Sequence, residues 1–201
     1  MIVELWRHGP TAGTIARRYE GAGTDSPLDI PATRSALSRL SGPAGAPRCV
    51  FASDMRRCVE TARLIYPDVP LALRPNLREI HFGEFEGRGF ADMEDDAAYR
   101  RWVDSGCEEA CPGGEGKAGF TRRVVAEVLA ILDRESACDS GYVAIVAHGG
   151  TVRAVMSELA HPRIPYFSVD APPAGRWLLE WEGGRLAVLA APGEEAPCTW
   201  S

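Results

Sequence analysis

Apolar residues occur along the chain in short runs that end at polar turns. Three runs have the length of a strand: Ile2 to Trp6, which is apolar except for Glu4, Cys49 to Ala52, and Tyr142 to Ala147. Continuous apolar runs are typical of strands that are covered on both faces, as in a buried parallel sheet. These three segments therefore predict the centre of such a sheet.

The segments between these runs show helical spacing. Phe120 to Arg134 is the clearest case, because its apolar residues repeat at intervals of three and four. Shorter helices are predicted for Thr33 to Leu40, for Val152 to Leu159, and for Arg57 to Ile65 with Ser53 as the N-cap. Strands that alternate with helices predict an α/β fold, a three-layer sandwich with a mostly parallel central sheet.

Towards the end of the chain the pattern changes to a hairpin. Trp177 to Trp181 and Leu186 to Leu189 flank a polar turn that contains two glycines, which predicts two antiparallel strands at the end of the sheet. The chain has 201 residues, no internal repeat and no shift in composition. We therefore expect a single domain over residues 1–201.

Composition and charge narrow the function. Lys and Arg number 22 against 28 Asp and Glu, for a net charge of −6, which disfavours a nucleic-acid partner. No stretch approaches the ~20 apolar residues of a membrane span, and the first residues do not resemble a secretion signal. We expect a cytoplasmic protein without a membrane partner, whose six cysteines are reduced thiols. The spacing of cysteines and histidines indicates neither a metal site nor a cofactor.

Candidate chemistry follows directly after the three predicted strands. Arg7 and His8 follow the first, Ser53 and the arginines 56 and 57 follow the second, and His148 follows the third. Ligands of parallel sheets bind beyond the carboxyl ends of the strands. If the strands are neighbours, two histidines and at least two arginines meet at one edge.

That set of side chains favours phosphate chemistry. Guanidinium groups are planar, permanently charged donors that match phosphate oxygens. A helix that begins after Gly150 would add a favourable dipole. One neutral histidine could attack phosphorus while the other stabilises charge. Protonating the leaving alkoxide requires an acid, for which Glu79 is a candidate.

Five segments carry a resemblance to a known family. In chain order they are Arg7 to Thr11, Ser53 to Ala62, Leu77 to Gly87, Pro112 to Glu115 and Ala147 to Arg153. They resemble, in the same order, R-H-G-x-T, S-x-L-x-R-A-x-x-T-A, L-x-E-x-x-F-G-x-W-E-G, P-G-G-E-S and V-x-H-G-G-x-x-R. The chain is thereby similar, from about residue 2 to about residue 159, to the histidine phosphatase superfamily with its phosphoglycerate mutase-like fold.

The resemblance implies roles for individual residues. His8 would be the nucleophile that becomes phosphohistidine, and Glu79 would protonate the leaving group and later help to activate water. The phosphoryl oxygens would be held by Arg7, Arg57 and His148. Substrate binding would involve Thr11, Thr14, Arg18, Glu115 and Gly149.

The chain departs from the family pattern at the edge of the expected pocket. Pro10 follows R-H-G where Glu is frequent, Thr14 aligns with an Asn that contacts phosphate, and Gly116 replaces Ser after Gly-Glu. The segment 29–36 lacks the usual glycine and glutamine. These departures concern the identity of the substrate, because both histidines, the central arginines and the acid are present.

The resemblance implies a metal-independent phosphomonoesterase that acts on a small phosphorylated metabolite through phosphohistidine. The short insert at about residues 87–112, which we expect to act like a lid, is similar to the compact α-ribazole phosphatase branch, so α-ribazole 5′-phosphate or a similar ester is the favoured substrate. The alternatives are a phosphoglycerate mutase, a non-catalytic protein that binds phosphorylated ligands, and a metal-dependent hydrolase. Whether the chain forms a homodimer is left open.

Overall fold

The computed structural model describes residues 1–40 and 42–194. Cys198, the last of the six cysteines, lies outside the described residues. Within them, the helices are α1 Ala12–Ile15, α2 Ile30–Leu37, α3 Arg56–Ile65, α4 Ala97–Asp104, α5 Lys117–Ala137 and α6 Gly149–Leu159. The strands are β1 Ile2–Arg7, β2 Val50–Ala52, β3 Leu71–Leu73, β4 Tyr142–Ala147, β5 Ala160–His161, β6 Arg176–Trp181 and β7 Leu186–Ala190.

The described strands form one sheet in the order β3-β2-β4-β1-β6-β7-β5. Strands β3, β2, β4 and β1 run parallel, whereas β6 is antiparallel to both β1 and β7. The predicted mostly parallel sheet and the predicted hairpin are confirmed. The hairpin is not the very end of the sheet, because the two residues of β5 pair with β7 outside it.

Helices cover the sheet on both faces. Along β4, Val143 and Ile145 belong to the core under α5 and α6, whereas Ala144 and Val146 belong to the core under α3. This alternation explains why β4 is apolar throughout, since neither face meets water. The predicted three-layer sandwich is thereby confirmed.

The one acid within the first apolar run has a structural explanation. Glu4 is fully buried in β1 and its carboxylate pairs with Arg176 Nη1 at 2.7 Å. It also accepts hydrogen bonds from Trp6 Nε1 at 3.0 Å and from the backbone N–H of Ala44 at 2.7 Å. A buried charge without partners would be costly, so this carboxylate depends on the donors around it.

Several predicted boundaries were wrong. Helix α2 spans Ile30–Leu37 rather than residues 33–40, because the Asp29 side chain accepts a hydrogen bond from Ala32 N and forms the N-cap. Ser53 is not the N-cap of α3, which begins after Met55 without a side-chain cap. Helices α5 and α6 both begin three residues before the predicted starts. Strands β3 and β5 were not predicted.

The segment 87–112 contains a 3₁₀ turn, Phe90–Asp92, and α4. It packs against Phe85 in an apolar cluster whose other buried members are Met93, Tyr99, Trp102 and Cys111. Its lid-like behaviour and the single-domain organisation stay predictions. No helix of the described residues has the length and apolar character required to cross a bilayer.

Candidate active site

The three central strands end level with one another and bring their following residues together. Trp6 pairs with Val146, and Val146 pairs with Ala52, across parallel neighbours. The rings of His8 and His148 consequently lie with their centroids 5.2 Å apart. The histidines therefore meet at one sheet edge, as the sequence predicts.

His8 is buried, and its surroundings define its tautomer. Nδ1 lies 2.7 Å from the carbonyl oxygen of Gly9, which only accepts hydrogen bonds. We therefore assign the hydrogen to Nδ1, which leaves Nε2 with a free lone pair. Burial, followed by the positive charges of Arg7 and Arg57, lowers the pKa of His8 well below 6.5. His8 is thus a neutral imidazole with an available nitrogen.

The turn after His8 is held by its neighbours. Gly9 N–H donates to Thr61 Oγ1 at 2.9 Å. A Cβ atom at Gly9 would lie 2.4 Å from the side chain of Thr33, which explains why glycine occupies this position. The turn therefore fixes the direction of the His8 side chain.

His148 packs against His8 and is hydrogen-bonded to Arg57. Arg57 Nε donates to His148 Nδ1 at 3.2 Å, so His148 carries its hydrogen on Nε2, which lies 2.9 Å from Ser53 Oγ. Arg57 also donates to backbone carbonyls of residues 20, 21 and 24. Burial and then Arg57 lower the pKa of His148 well below 6.5. Both side chains are fully buried, and neither lines the cavity that His8 borders. The prediction that they hold phosphoryl oxygens stays a prediction.

Glu79 reaches the same region from the loop after β3. Its Oε2 accepts from Gly150 N–H at 2.8 Å, and its Oε1 accepts from Ile80 N–H at 3.0 Å. Gly150 lies in the first turn of α6, whose amides favour a negative or polar group. The carboxyl group is therefore held in one orientation beside the start of α6.

His8 and Glu79 line a cavity of about 300 Å³. Cationic side chains in its wall are Arg7, Arg18, Lys117 and Arg153, and aromatic ones are Tyr19, Phe82, Trp102, Tyr166 and Phe167. The cavity thus combines positive charge beside His8 with an aromatic wall.

Arg153 is a cavity residue that the sequence prediction did not include. Its Nε and that of Arg7 are buried without a hydrogen-bond partner among the described residues. An unpaired buried donor is costly unless a ligand satisfies it. Both nitrogens therefore suit an anionic ligand. Arg153 ends the segment 147–153 that carries the family resemblance, so a signal for it was present.

The five predicted substrate-binding residues divide into two groups. Thr14, Arg18 and Gly149 line the cavity. Thr11 does not line it; its buried hydroxyl caps α1 and donates to Glu20. Glu115 does not line it either, because both of its carboxylate oxygens pair with Arg123. Substrate contact stays a prediction for all five.

The His, Cys, Asp and Glu side chains are the candidates for a metal site or a reactive thiol among the described parts of the chain. Within residues 1–40 and 42–194, no group of three or more His, Cys, Asp or Glu side chains could hold a metal ion. Cys58 lies 3.4 Å from His148 Nε2, but burial raises the pKa of its thiol. This thiol is consequently a neutral packing group rather than a nucleophile.

Comparison with known proteins extends these observations. A family model described as "Histidine phosphatase superfamily (branch 1)" matches residues 3–191. The chain is 32% identical over 195 residues to the adenosylcobalamin/alpha-ribazole phosphatase of Salmonella typhimurium, covering 93% of this chain and 90% of that protein. It is 29% identical over 173 residues to the 2,3-bisphosphoglycerate-dependent phosphoglycerate mutase 2 of Gloeobacter violaceus, covering 80% and 76% respectively. The solved alpha-ribazole phosphatase from Shigella flexneri is similar with a TM-score of 0.80 and 25% identity over 100% of both chains.

Proposed function

Because the chain belongs to the histidine phosphatase superfamily (branch 1), we propose that it is a phosphomonoesterase that transfers a phosphoryl group from a small ester to His8 and then to water. The observation that carries this proposal is the unprotonated Nε2 of His8, in a cavity shared with Arg7, Arg153 and Glu79. The phosphoglycerate mutase-like fold expected from the sequence is confirmed by the structural likeness.

The first step transfers the phosphoryl group to the protein. His8 Nε2 forms a bond to phosphorus in line with the breaking bond to the ester oxygen, and the leaving oxygen takes a proton from the protonated Glu79 carboxyl. The unpaired nitrogens of Arg7 and Arg153 stabilise negative charge on the transferring group. The products are phosphohistidine, the free alcohol and the Glu79 carboxylate.

The second step returns the protein to its starting state. Glu79 accepts a proton from water as the water oxygen bonds to phosphorus and the bond to His8 Nε2 breaks. Inorganic phosphate leaves, and neutral His8 and protonated Glu79 are restored. The proposed steps use only residues of this chain, and we therefore expect activity without an added metal ion.

We favour α-ribazole 5′-phosphate as the substrate. The relative from Salmonella typhimurium and the Shigella flexneri structure both carry the name of an alpha-ribazole phosphatase. The aromatic wall includes the largely exposed ring of Phe167, against which a heteroaromatic base can stack. The mutase alternative is weaker, because these two relatives are phosphatases and cover more of the chain than the mutase does.

We place the reaction in the cytoplasm. The cysteines at 49, 58, 107, 111 and 138 are free thiols, and free thiols persist in reducing compartments. The partner in this proposal is a small phosphorylated metabolite.

The test is phosphate release from α-ribazole 5′-phosphate, p-nitrophenyl phosphate and 3-phosphoglycerate. We expect release from the first two, no loss of activity in EDTA, and an acid-labile phosphorylated chain during turnover. His8→Ala should abolish phosphate release from both esters and the phosphorylated chain, because it removes the attacking nitrogen. His161→Ala, at an exposed histidine in β5, is the matched control and should retain full activity. Isomerisation of 3-phosphoglycerate without free phosphate would establish the mutase instead, and no turnover at all would indicate a binding protein.

A further inference from the structure

One side chain of α5 binds three backbone carbonyls of the loop that carries Glu79. Arg123 Nη1 donates to the backbone carbonyls of Asn76 at 2.9 Å and Arg78 at 2.8 Å. Its Nη2 donates to the carbonyl of Glu79 at 3.1 Å. A single guanidinium group therefore binds three carbonyls within four consecutive residues, and the last of them belongs to Glu79.

Arg123 is itself held in a fixed orientation. Glu115 accepts from its Nε at 2.9 Å and from its Nη2 at 2.7 Å, in a two-point pair. The ring of Phe120 lies beneath the guanidinium group at 5.0 Å. Two-point pairing of this kind fixes direction as well as charge. The fork that binds the Glu79 loop thus has little freedom to rotate.

Glu79 is consequently held from two sides. Its carbonyl is bound by Arg123 of α5, and its carboxyl group is bound by Gly150 at the start of α6. Helices α5 and α6 pack against each other through the main apolar core. The position of the carboxyl group is therefore defined by the rigid part of the fold rather than by the loop.

We propose that Arg123, oriented by Glu115, is a positioning residue that holds Glu79 where it can protonate the leaving group. This inference rests on the proposed function and assigns Glu115 a task distinct from substrate contact. Neither residue lines the cavity. They act through the backbone of Glu79, and the reacting atoms remain those of His8, Glu79 and the ester.

Positioning of Glu79 by Arg123 predicts a kinetic effect that a purely structural contribution of Arg123 would not cause. The alkoxide of an alkyl phosphate is a poor leaving group and must be protonated while its bond to phosphorus breaks. The p-nitrophenolate of p-nitrophenyl phosphate is a stabilised anion and can leave without a proton. General acid catalysis typically contributes about 10²–10⁴-fold, and misplacing the acid loses part of it. A displaced Glu79 should therefore slow alkyl phosphates much more than p-nitrophenyl phosphate.

The experiment compares kcat/KM for an alkyl phosphate and for p-nitrophenyl phosphate in Arg123→Met and Glu115→Gln. Methionine keeps an apolar stem over Phe120, and glutamine keeps the size of Glu115 while removing its charge. We expect losses of about tenfold or more with the alkyl ester and less than about threefold with p-nitrophenyl phosphate. Arg122→Met, at the exposed neighbouring arginine of α5, is the matched control and should leave both values unchanged.

The same comparison in a Glu79→Gln background completes the test. Adding Arg123→Met to Glu79→Gln should cause no further loss with the alkyl ester, because the acid is already absent. Equal losses for both esters, or a full additional loss in the double variant, would overturn the positioning role while leaving the phosphatase proposal intact. Absence of turnover by the unsubstituted chain would overturn both. Glu115→Gln provides the answer if Arg123→Met fails to fold.

Discussion

His8 and His148 are two imidazoles enclosed among guanidinium groups. Burial is the main cause of their lowered pKa values, and the nearby arginines act in the same direction. A neutral His8 is the form that can attack phosphorus. Arg7, which suits an anion, thus also acts together with burial to keep the proposed nucleophile unprotonated.

The lowered histidine pKa values predict how stability depends on pH. In the unfolded chain these histidines titrate near about 6.5, so below that pH the unfolded state binds more protons than the folded state. The contribution of these two histidines to the free energy of unfolding should therefore be constant above about pH 6.5 and decrease below it, by up to about 1.4 kcal/mol per pH unit for each histidine. Urea unfolding between about pH 7.5 and about pH 5.5 measures this dependence.

Substitution identifies the source of that dependence. His8→Ala removes one titrating group, so its slope below about pH 6.5 should be smaller than that of the unsubstituted chain. An identical slope in the chain and in His8→Ala would contradict the assignment of a lowered pKa to His8.

At the level of residues, the sequence predicts the position of those side chains that directly follow a strand. His8 and His148 meet because parallel neighbours end at one edge. Arg153 was not predicted because its position relative to Gly149 becomes informative only when both residues lie in one helix. It lies four residues after Gly149 in α6, and helical side chains four apart share a face and lean towards the N-terminus. The task of Ser53 as a partner of His148 follows only from three-dimensional contacts.

Among the elements, α6 contributes most directly to the site through its first turn. The amide of Gly150 donates to Glu79 Oε2, and a Cβ atom at Gly150 would lie 2.2 Å from Glu79 Oε1. A contact this short cannot be accommodated without moving the carboxyl group. Glycine at this position therefore permits the approach of the proposed acid to the helix N-terminus.

Gly150→Ala should consequently impair catalysis with little damage to the helix. The added methyl group displaces the Glu79 carboxyl, so we expect kcat/KM for an alkyl phosphate to fall by about 10²-fold, within the range of lost acid catalysis. Gly119→Ala in α5 is the control, since its Cβ would meet nothing within 4 Å. It should keep full activity and gain up to about 1 kcal/mol of stability. Full activity in Gly150→Ala would show that Glu79 does not act from its observed position.

Local sequence signals are sufficient to predict some of the strands and not others. Strand β4 begins and ends as predicted, because an unbroken apolar run marks both of its limits. Strand β3 has three residues of which none is buried, and it is a strand because it pairs with β2. Strand β5 has two residues and depends on β7 in the same way. Pairing with distant segments leaves no periodic signal in so short a stretch.

At the scale of the whole molecule, the cavity is assembled from segments far apart in the chain. Its aromatic wall combines Tyr19 and Phe82, which precede the insert, Trp102, which lies within it, and Tyr166, which follows it. Tyr19 and Trp102 lie with ring centroids 5.7 Å apart, and Phe82 and Trp102 at 6.1 Å. No local pattern indicates that these rings meet, so the sequence predicted the residues around His8 and did not predict the aromatic wall.

Phe167 allows a test of whether this wall selects the alcohol portion of the substrate. It lines the cavity while its side chain is largely exposed, and Lys117 Nζ lies 5.0 Å from its ring. An aromatic contact is worth about 0.5–1.5 kcal/mol, so Phe167→Ala should raise KM for α-ribazole 5′-phosphate by about two- to tenfold. The KM for a small alkyl phosphate should not change, because such an ester is held only at its phosphate end. Phe90→Ala, at another exposed phenylalanine that does not line the cavity, should change neither value. An equal rise in KM for both esters in Phe167→Ala would mean that the residue shapes the phosphate site rather than recognising the base.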